Sequence, residues 1–142
     1  LIIVGEGSYL PTVIERISGI ENIQYEGFQQ GKKLRSTISN ATAVVVPSEW
    51  YENCPMNVLE AKSLGRPVIG TNIGGIPELI RDSIDGYIFE PGNVKELLKC
   101  IEKVPNNFNE MGELARKDSI TRFSKAAYLD KLMSYYALAR AI

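Results

Sequence analysis

Short apolar runs alternate with segments of helical spacing through the first hundred residues, and no other feature of the sequence limits the fold so tightly. The runs are Leu1–Val4, Ile23–Tyr25, Ala43–Val46, Val68–Gly70 and Tyr87–Phe89. Runs of this kind suit strands buried on both faces. Leu10–Ile17 has apolar residues at 10, 13, 14 and 17 with Pro11 in its first turn, and Gly31–Ser39 carries Leu34 and Ile38 four apart, so both read as helices. A third helix opens at Pro55, where a missing N–H costs nothing, and closes at Gly65 ahead of Pro67. The Gly74-Gly75-Ile76-Pro77 turn leads into a single-turn helix. Asn93 caps another, with Glu96 three residues on and Val94, Leu97, Leu98 and Ile101 on one face. After Pro105 the chain reads as fully helical, with Tyr128, Leu132, Tyr135 and Tyr136 on one packing stripe. The alternation predicts an α/β fold over residues 1–142, a Rossmann-like parallel sheet with helices on both faces.

In such folds ligands bind beyond the carboxyl ends of the strands. The turns that follow the strands, Gly5-Glu6-Gly7, Phe28-Gln29-Gln30, Pro47–Cys54 and Gly74-Gly75, are expected to converge on one rim. Composition narrows what that rim can do. With 16 basic and 17 acidic residues the net charge is −1, which gives no sign of a nucleic-acid partner. No apolar run is long enough to span a bilayer, and Leu1–Leu10 reads as a strand and turn rather than a signal peptide. Cys54 and Cys100 have no metal-like spacing and read as free thiols of a reducing compartment. The chain contains no histidine, which removes Ser-His-Asp and Cys-His catalysis and histidine zinc sites from its own residues. Chemistry here rests on carboxylates, basic side chains and backbone dipoles.

The stretch Pro47–Glu78 concentrates those groups. Glu52 and Glu60, with seven residues between them, stand on either side of the helix start at Pro55. A helix N-terminus carries about half a positive charge and unpaired N–H groups, so the amides of Met56 and Asn57 are suited to a diphosphate. Glu60 lies roughly 7–8 Å further along the helix axis, where a carboxylate accepts two ribose hydroxyls. Glu52, in the loop ahead of the helix, would meet the other end of such a ligand. Each residue also has a plainer reading. Glu60 can be a solvated helix residue, Glu52 and Glu78 acids favoured by a helix dipole, and Gly74-Gly75 a turn that needs positive φ. Gly5-Glu6-Gly7 lacks the third glycine of a dinucleotide fingerprint.

The segment PSEWYENCPMNVLEAKSLGRPVIGTNIGGIPELI resembles the donor-binding core of the retaining glycosyltransferases of family 4, whose Glu-x7-Glu motif is met by Glu52 and Glu60. LIIVGEGSYL, IQYEGFQQGKKL, GYIFEPGNVKELLKCI and ITRFSKAAYLDKLMSYY resemble further parts of the same C-terminal domain in order, so the likeness covers essentially the whole chain. The family has the GT-B fold of two facing Rossmann-like domains. The resemblance implies transfer of a glycosyl group from a nucleotide sugar to a glycolipid or polysaccharide acceptor, with retention at the anomeric carbon and without a divalent metal or other cofactor. It implies that Glu60 holds the donor ribose and Glu52 the donor sugar. Asn53, Cys54, Met56 and Asn57 would contact sugar hydroxyls and phosphate through their backbone, Gly27, Phe28 and Gln29 would lie near the base, and Gly74 and Gly75 would face the donor. It further implies a cytoplasmic protein, with peripheral membrane contact through regions outside this sequence.

The departures are specific. The family's C-terminal domain starts with another strand that carries an arginine, followed by a lysine, and the sequence here begins at what corresponds to the second strand. The resemblance places that strand between the Leu1–Val4 and Ala43–Val46 strands. The acceptor-binding domain is likewise not included, so the chain is expected to bind donor weakly and to transfer nothing by itself. A GT-B epimerase or phosphorylase would need acid–base or cofactor groups of its own, such as histidines or a Schiff-base lysine. A non-catalytic nucleotide-binding module of doubly wound form is the other alternative. A signalling module of that form would show strand-end aspartates, and none is present.

Overall fold

The computed structural model describes residues 1–104 and 107–140. Pro105, expected to mark the start of the helical C-terminal part, lies outside the described residues. The chain divides into two compact units, Leu1–Thr37 and Ile38–Ile142.

The first unit contains β1 (Ile2–Ile3), α1 (Leu10–Ile17), β2 (Gln24–Tyr25) and the start of α2 (Gly31–Asn40). β1 and β2 pair in parallel, with Ile2 opposite Gln24 and Ile3 opposite Tyr25. The α1 helix matches its expected bounds, with proline in its first turn.

The second unit continues with β3 (Val44–Val46), α3 (Met56–Ser63), β4 (Val68–Thr71), α4 (Ile76–Leu79), β5 (Gly86–Phe89), α5 (Val94–Lys103), α6 (Phe108–Phe123) and α7 (Lys125–Ala139). Strands β3, β4 and β5 form a parallel sheet with β4 in the middle, Val45 opposite Ile69 and Ile69 opposite Tyr87. The α/β class and the parallel pairing agree with the sequence pattern. The described strands are nevertheless shared between two sheets, β1-β2 and β3-β4-β5. The expected burial on both faces is met by β4 but not by β1 and β2, where no residue is buried and Ile2 is 51% exposed, because an apolar run is buried only where other elements cover it.

Side chains alternate across β4, and each face of the three-stranded sheet meets helices. On one face Ile69, Tyr87 and Phe89 form a cluster with Cys100 of α5, Val104 and Met111 of α6. Burial of each large apolar side chain there contributes about 1.5–3 kcal/mol. On the other face Gly70 lies against Ile76 and Ile80, which a β-carbon at that position would approach to 2.6 Å. Val58 and Ala61 of α3 are buried completely. Asn93 caps α5 as expected, its side chain accepting from the Glu96 amide at 3.2 Å.

Two expected packing stripes differ from the observed ones. On α5 the buried residue is Cys100, while Val94, Leu98 and Ile101 are exposed. On α7 Tyr128, Tyr135 and Tyr136 are exposed and no residue is buried. Apolar spacing on a helix identifies a face, but a face is buried only where another element covers it. Among the described residues α7 has its main contact with α6 alone. No described helix is long and apolar enough to cross a membrane.

Candidate functional site

The loop Pro47–Cys54 leaves the carboxyl end of β3 and returns to start α3. It is held at both ends. Buried Thr71, the last residue of β4, donates its hydroxyl to the Ser48 carbonyl at 2.7 Å. The Ser48 hydroxyl in turn donates to Oε1 of Glu52. At the far end the Gly75 amide donates to the Glu52 carbonyl at 2.7 Å. The two glycines of that turn are needed for different reasons. Gly74 has φ +57, and a β-carbon there would stand 2.6 Å from the Glu52 carbonyl oxygen. Gly75 has an ordinary φ of −83, but its β-carbon would stand 2.0 Å from the Asn53 carbonyl oxygen. The turn is therefore a backbone seat for Glu52 and Asn53, and the positive-φ reading of Gly74-Gly75 describes only its first residue.

Helix α3 begins immediately after this loop. Pro55 is its N-cap, with ψ 112 and no side-chain cap; the sequence pattern had placed it one position later, inside the helix. Val58, the third helical amide, donates to the Pro55 carbonyl at 3.2 Å and to Oδ1 of Asn57 at 2.9 Å. No described residue accepts from the amides of Met56 or Asn57. Both residues are exposed, as are Asn53 and Cys54. Glu60 is exposed on the same helix, and among the described residues its carboxylate has no hydrogen-bond partner. The C-terminal end of α3 is closed by the Gly65 amide on the Lys62 carbonyl at 3.0 Å and the Arg66 amide on the Ala61 carbonyl at 2.9 Å, the paired bonds of a Schellman turn.

The inward face of α3 carries a group the sequence reading did not single out. Lys62 is 0% exposed, two residues past Glu60 and so nearly opposite it on the helix. Its ammonium donates to the Leu79 carbonyl at 2.5 Å and to Asp118 at 2.6 Å, and lies 3.2 Å from Asp85. Arg81 bonds Asp85 at 2.7 Å, and Arg122 bonds Asp118 at 3.2 Å. The hydrogen bond to Asp85 holds the Arg81 guanidinium above its ordinary pKa against partial desolvation, with the charges of Asp85 and Asp118 adding to the effect. Three cations thus surround two buried carboxylates and tie α3 to α6 and to the end of α4, the helix that follows the Gly74-Gly75 seat. A lysine between two small helix residues carries no signal of its own in a sequence. Its partners, 23 and 56 residues away by numbering, meet it only in the folded chain.

Of the remaining expected site residues, Gly27, Phe28 and Gln29 belong to the first unit. Gly27 (φ +72) accepts from the Gly5 amide at 3.1 Å, so the Gly5-Glu6-Gly7 turn and the loop after β2 do meet. Phe28 is exposed, and Gln29 is buried with its Oε1 accepting from Thr37 at 2.6 Å. In the second unit Glu52, Asn53, Gly74 and Gly75 are in direct contact, and the chain continues through Cys54 and Pro55 into Met56 and Asn57. Among the described residues no group of three or more metal-ligating side chains comes together.

Comparison with known proteins gives a consistent set of likenesses. The family model described as glycosyl transferases group 1 matches residues 1–107. The chain is 29% identical over 125 residues to sulfoquinovosyl transferase SQD2 of Arabidopsis thaliana, covering 82% of this chain and 24% of that protein. It is 27% identical over 142 residues to alpha-D-kanosaminyltransferase of Streptomyces kanamyceticus, covering 95% of this chain and 36% of that one. Among solved structures, Anabaena HepE in complex with UDP superposes with a TM-score of 0.83 at 22% identity, over 96% of this chain and 40% of HepE. The chain therefore spans between about a quarter and two fifths of the length of these proteins.

Proposed function

The chain belongs to the group 1 glycosyl transferases, and on that premise we propose that it is the donor-binding domain of an enzyme that moves a glycosyl group from a nucleotide sugar to a saccharide or glycolipid acceptor, with retention and without a metal. One observation carries this reading. The first two amides of α3 have no acceptor among the described residues, and acidic side chains flank them, Glu52 in the anchored loop and Glu60 on the exposed side of the helix.

Each part has a physical task. The amides of Met56 and Asn57 and the helix dipole hold the diphosphate and stabilise the negative charge it gains as the sugar leaves. Glu60 accepts both ribose hydroxyls. Glu52 has one oxygen committed to Ser48, which orients the other toward the transferred sugar and the positive charge that develops on its ring. The anomeric carbon–phosphate oxygen bond breaks with its electron pair leaving on the diphosphate, and the acceptor hydroxyl oxygen bonds to the same face as its proton passes to the departing diphosphate oxygen. Gly74 and Gly75 contribute by fixing the backbone of Glu52 and Asn53. That structures such as HepE are known with UDP bound supports a uridine nucleotide as the first donor to test.

The test places this domain in one polypeptide with an acceptor-binding domain, then measures donor binding by calorimetry with UDP-, GDP- and ADP-sugars, together with turnover. Glu60→Gln is expected to weaken donor binding by about 1–3 kcal/mol through lost hydrogen bonds, whereas Glu52→Gln is expected mainly to lower turnover. Two variants that both behave as the unaltered protein would refute the assigned roles.

A further inference from the structure

We propose that Trp50 and Tyr51 form a stacking platform for a neutral saccharide ring beside the transferred sugar; this rests on the role given to Glu52 above. The two are the most exposed large hydrophobic side chains among the described residues, at 82% and 87%. They stand at the apex of a loop whose two ends are pinned, by Thr71 and Ser48 on one side and by Gly75 on the other. Aromatic rings left in water on a mobile tip need no explanation, but here the backbone on both sides is hydrogen-bonded. Such a platform is preorganised, so little freedom is lost when a ligand binds.

The surroundings select the occupant. A patch of two rings buries at most about 500 Å², short of the roughly 800 Å² per partner of a stable protein interface, so a second protein is too large a partner for it. Carboxylates flank the rings, Glu49 before and Glu52 after, and Asn53 follows with an exposed amide. An anionic lipid headgroup would be repelled there. A neutral pyranose has the complementary chemistry: one face of C–H bonds lies on an aromatic ring, and its rim of hydroxyls donates to carboxylates. Trp50 is two residues from Glu52, at most about 7 Å along the backbone, so a ring stacked on it would lie next to the sugar that Glu52 holds.

Trp50 is the single tryptophan of the chain, and its fluorescence therefore reports on this position alone. The experiment titrates the protein, with and without UDP, with methyl α-glucoside, methyl α-galactoside and N-acetylglucosamine, and in parallel with phosphatidylglycerol and phosphatidylcholine vesicles. The expected result is a blue shift and protection from acrylamide quenching with at least one saccharide. Saturation-transfer NMR should show affinity for that saccharide about tenfold weaker in Trp50→Ala and Tyr51→Ala and retained in Tyr51→Phe, which keeps the ring. Both residues are exposed, so these variants keep the fold, which a circular dichroism melt checks. The proposal is overturned if no saccharide moves the emission, if only vesicles do, or if the shift follows protein concentration alone. Calorimetric UDP binding and its response to Glu60→Gln read the donor site separately. UDP binding with a silent Trp50 rejects the platform alone, and absent UDP binding rejects the donor reading.

Discussion

Replacing Gly75 by alanine tests whether the Gly74-Gly75 turn sets the position of Glu52. The backbone at Gly75 has φ −83 and ψ −4, which any residue adopts, so the effect is purely steric. The new β-carbon would stand 2.0 Å from the Asn53 carbonyl oxygen and 2.9 Å from its carbonyl carbon. Contacts below about 3 Å do not persist, so the loop and the turn must separate by about 1 Å. That movement stretches the 2.7 Å bond from the Gly75 amide to the Glu52 carbonyl, a loss of about 1 kcal/mol. The overlap itself costs about 1–3 kcal/mol, and alanine returns about 0.4–1 kcal/mol through the unfolded chain. The net destabilisation is about 2 kcal/mol, a fall in Tm of about 10 °C for a domain of this size. Gly112→Ala is the matched control. Its β-carbon would stand 2.3 Å from the Gly65 carbonyl oxygen, at the opposite end of α3 from the Glu52 loop. Both variants are expected to melt lower, by differential scanning calorimetry, but only Gly75→Ala should weaken UDP-sugar binding, by about tenfold, and shift the emission of Trp50. Unchanged donor binding in Gly75→Ala, or an equal loss in Gly112→Ala, would refute the idea that this turn positions the acid.

The other predictions concern the buried groups. Lys62→Met leaves Asp85 and Asp118 buried with only Arg81 and Arg122 as counter-charges, and urea unfolding should show a loss of about 3–5 kcal/mol; if the ammonium is what holds the cluster together, adding Asp118→Leu should recover at least about 1 kcal/mol. Cys54 is exposed and Cys100 buried, so iodoacetamide should label Cys54 first, and a bound nucleotide sugar should slow that labelling. Burial pushes the Cys100 thiol above its ordinary value of 9.0, against the opposing pull of Lys103. Above about pH 9 the unfolded chain then loses a proton that the folded chain keeps, so stability falls as pH rises. Cys100→Ala should remove that part of the alkaline decline in a pH series of melts.

Much of this molecule was legible in its residues because the relevant forces are local. Apolar runs bounded by Gly and Pro become strands, the bounds of α1 follow from its spacing, and the cap at Asn93 follows from one side chain three residues from an amide. The candidate site was legible for the same reason. Glu52, Pro55, Met56, Asn57 and Glu60 are near neighbours along the chain, and a helix start fixes their relation within two turns. What governs them from outside was not legible. Thr71 reaches Ser48 across 23 positions, Gly75 supports Glu52 across 23 as well, and Lys62 meets Asp118 across 56. The same holds for the stripes on α5 and α7, where spacing named a face and the neighbouring elements left it open.

Local pattern thus determined the class of fold, the order of its elements and the acidic motif astride a helix start. Tertiary structure decided the backbone seat beneath Glu52, the buried charges behind α3 and the two bare aromatic rings beside the acid. Contacts of long sequence separation depend on how faces stack and which carbonyl comes within 3 Å of which amide, and no short window of sequence carries that information.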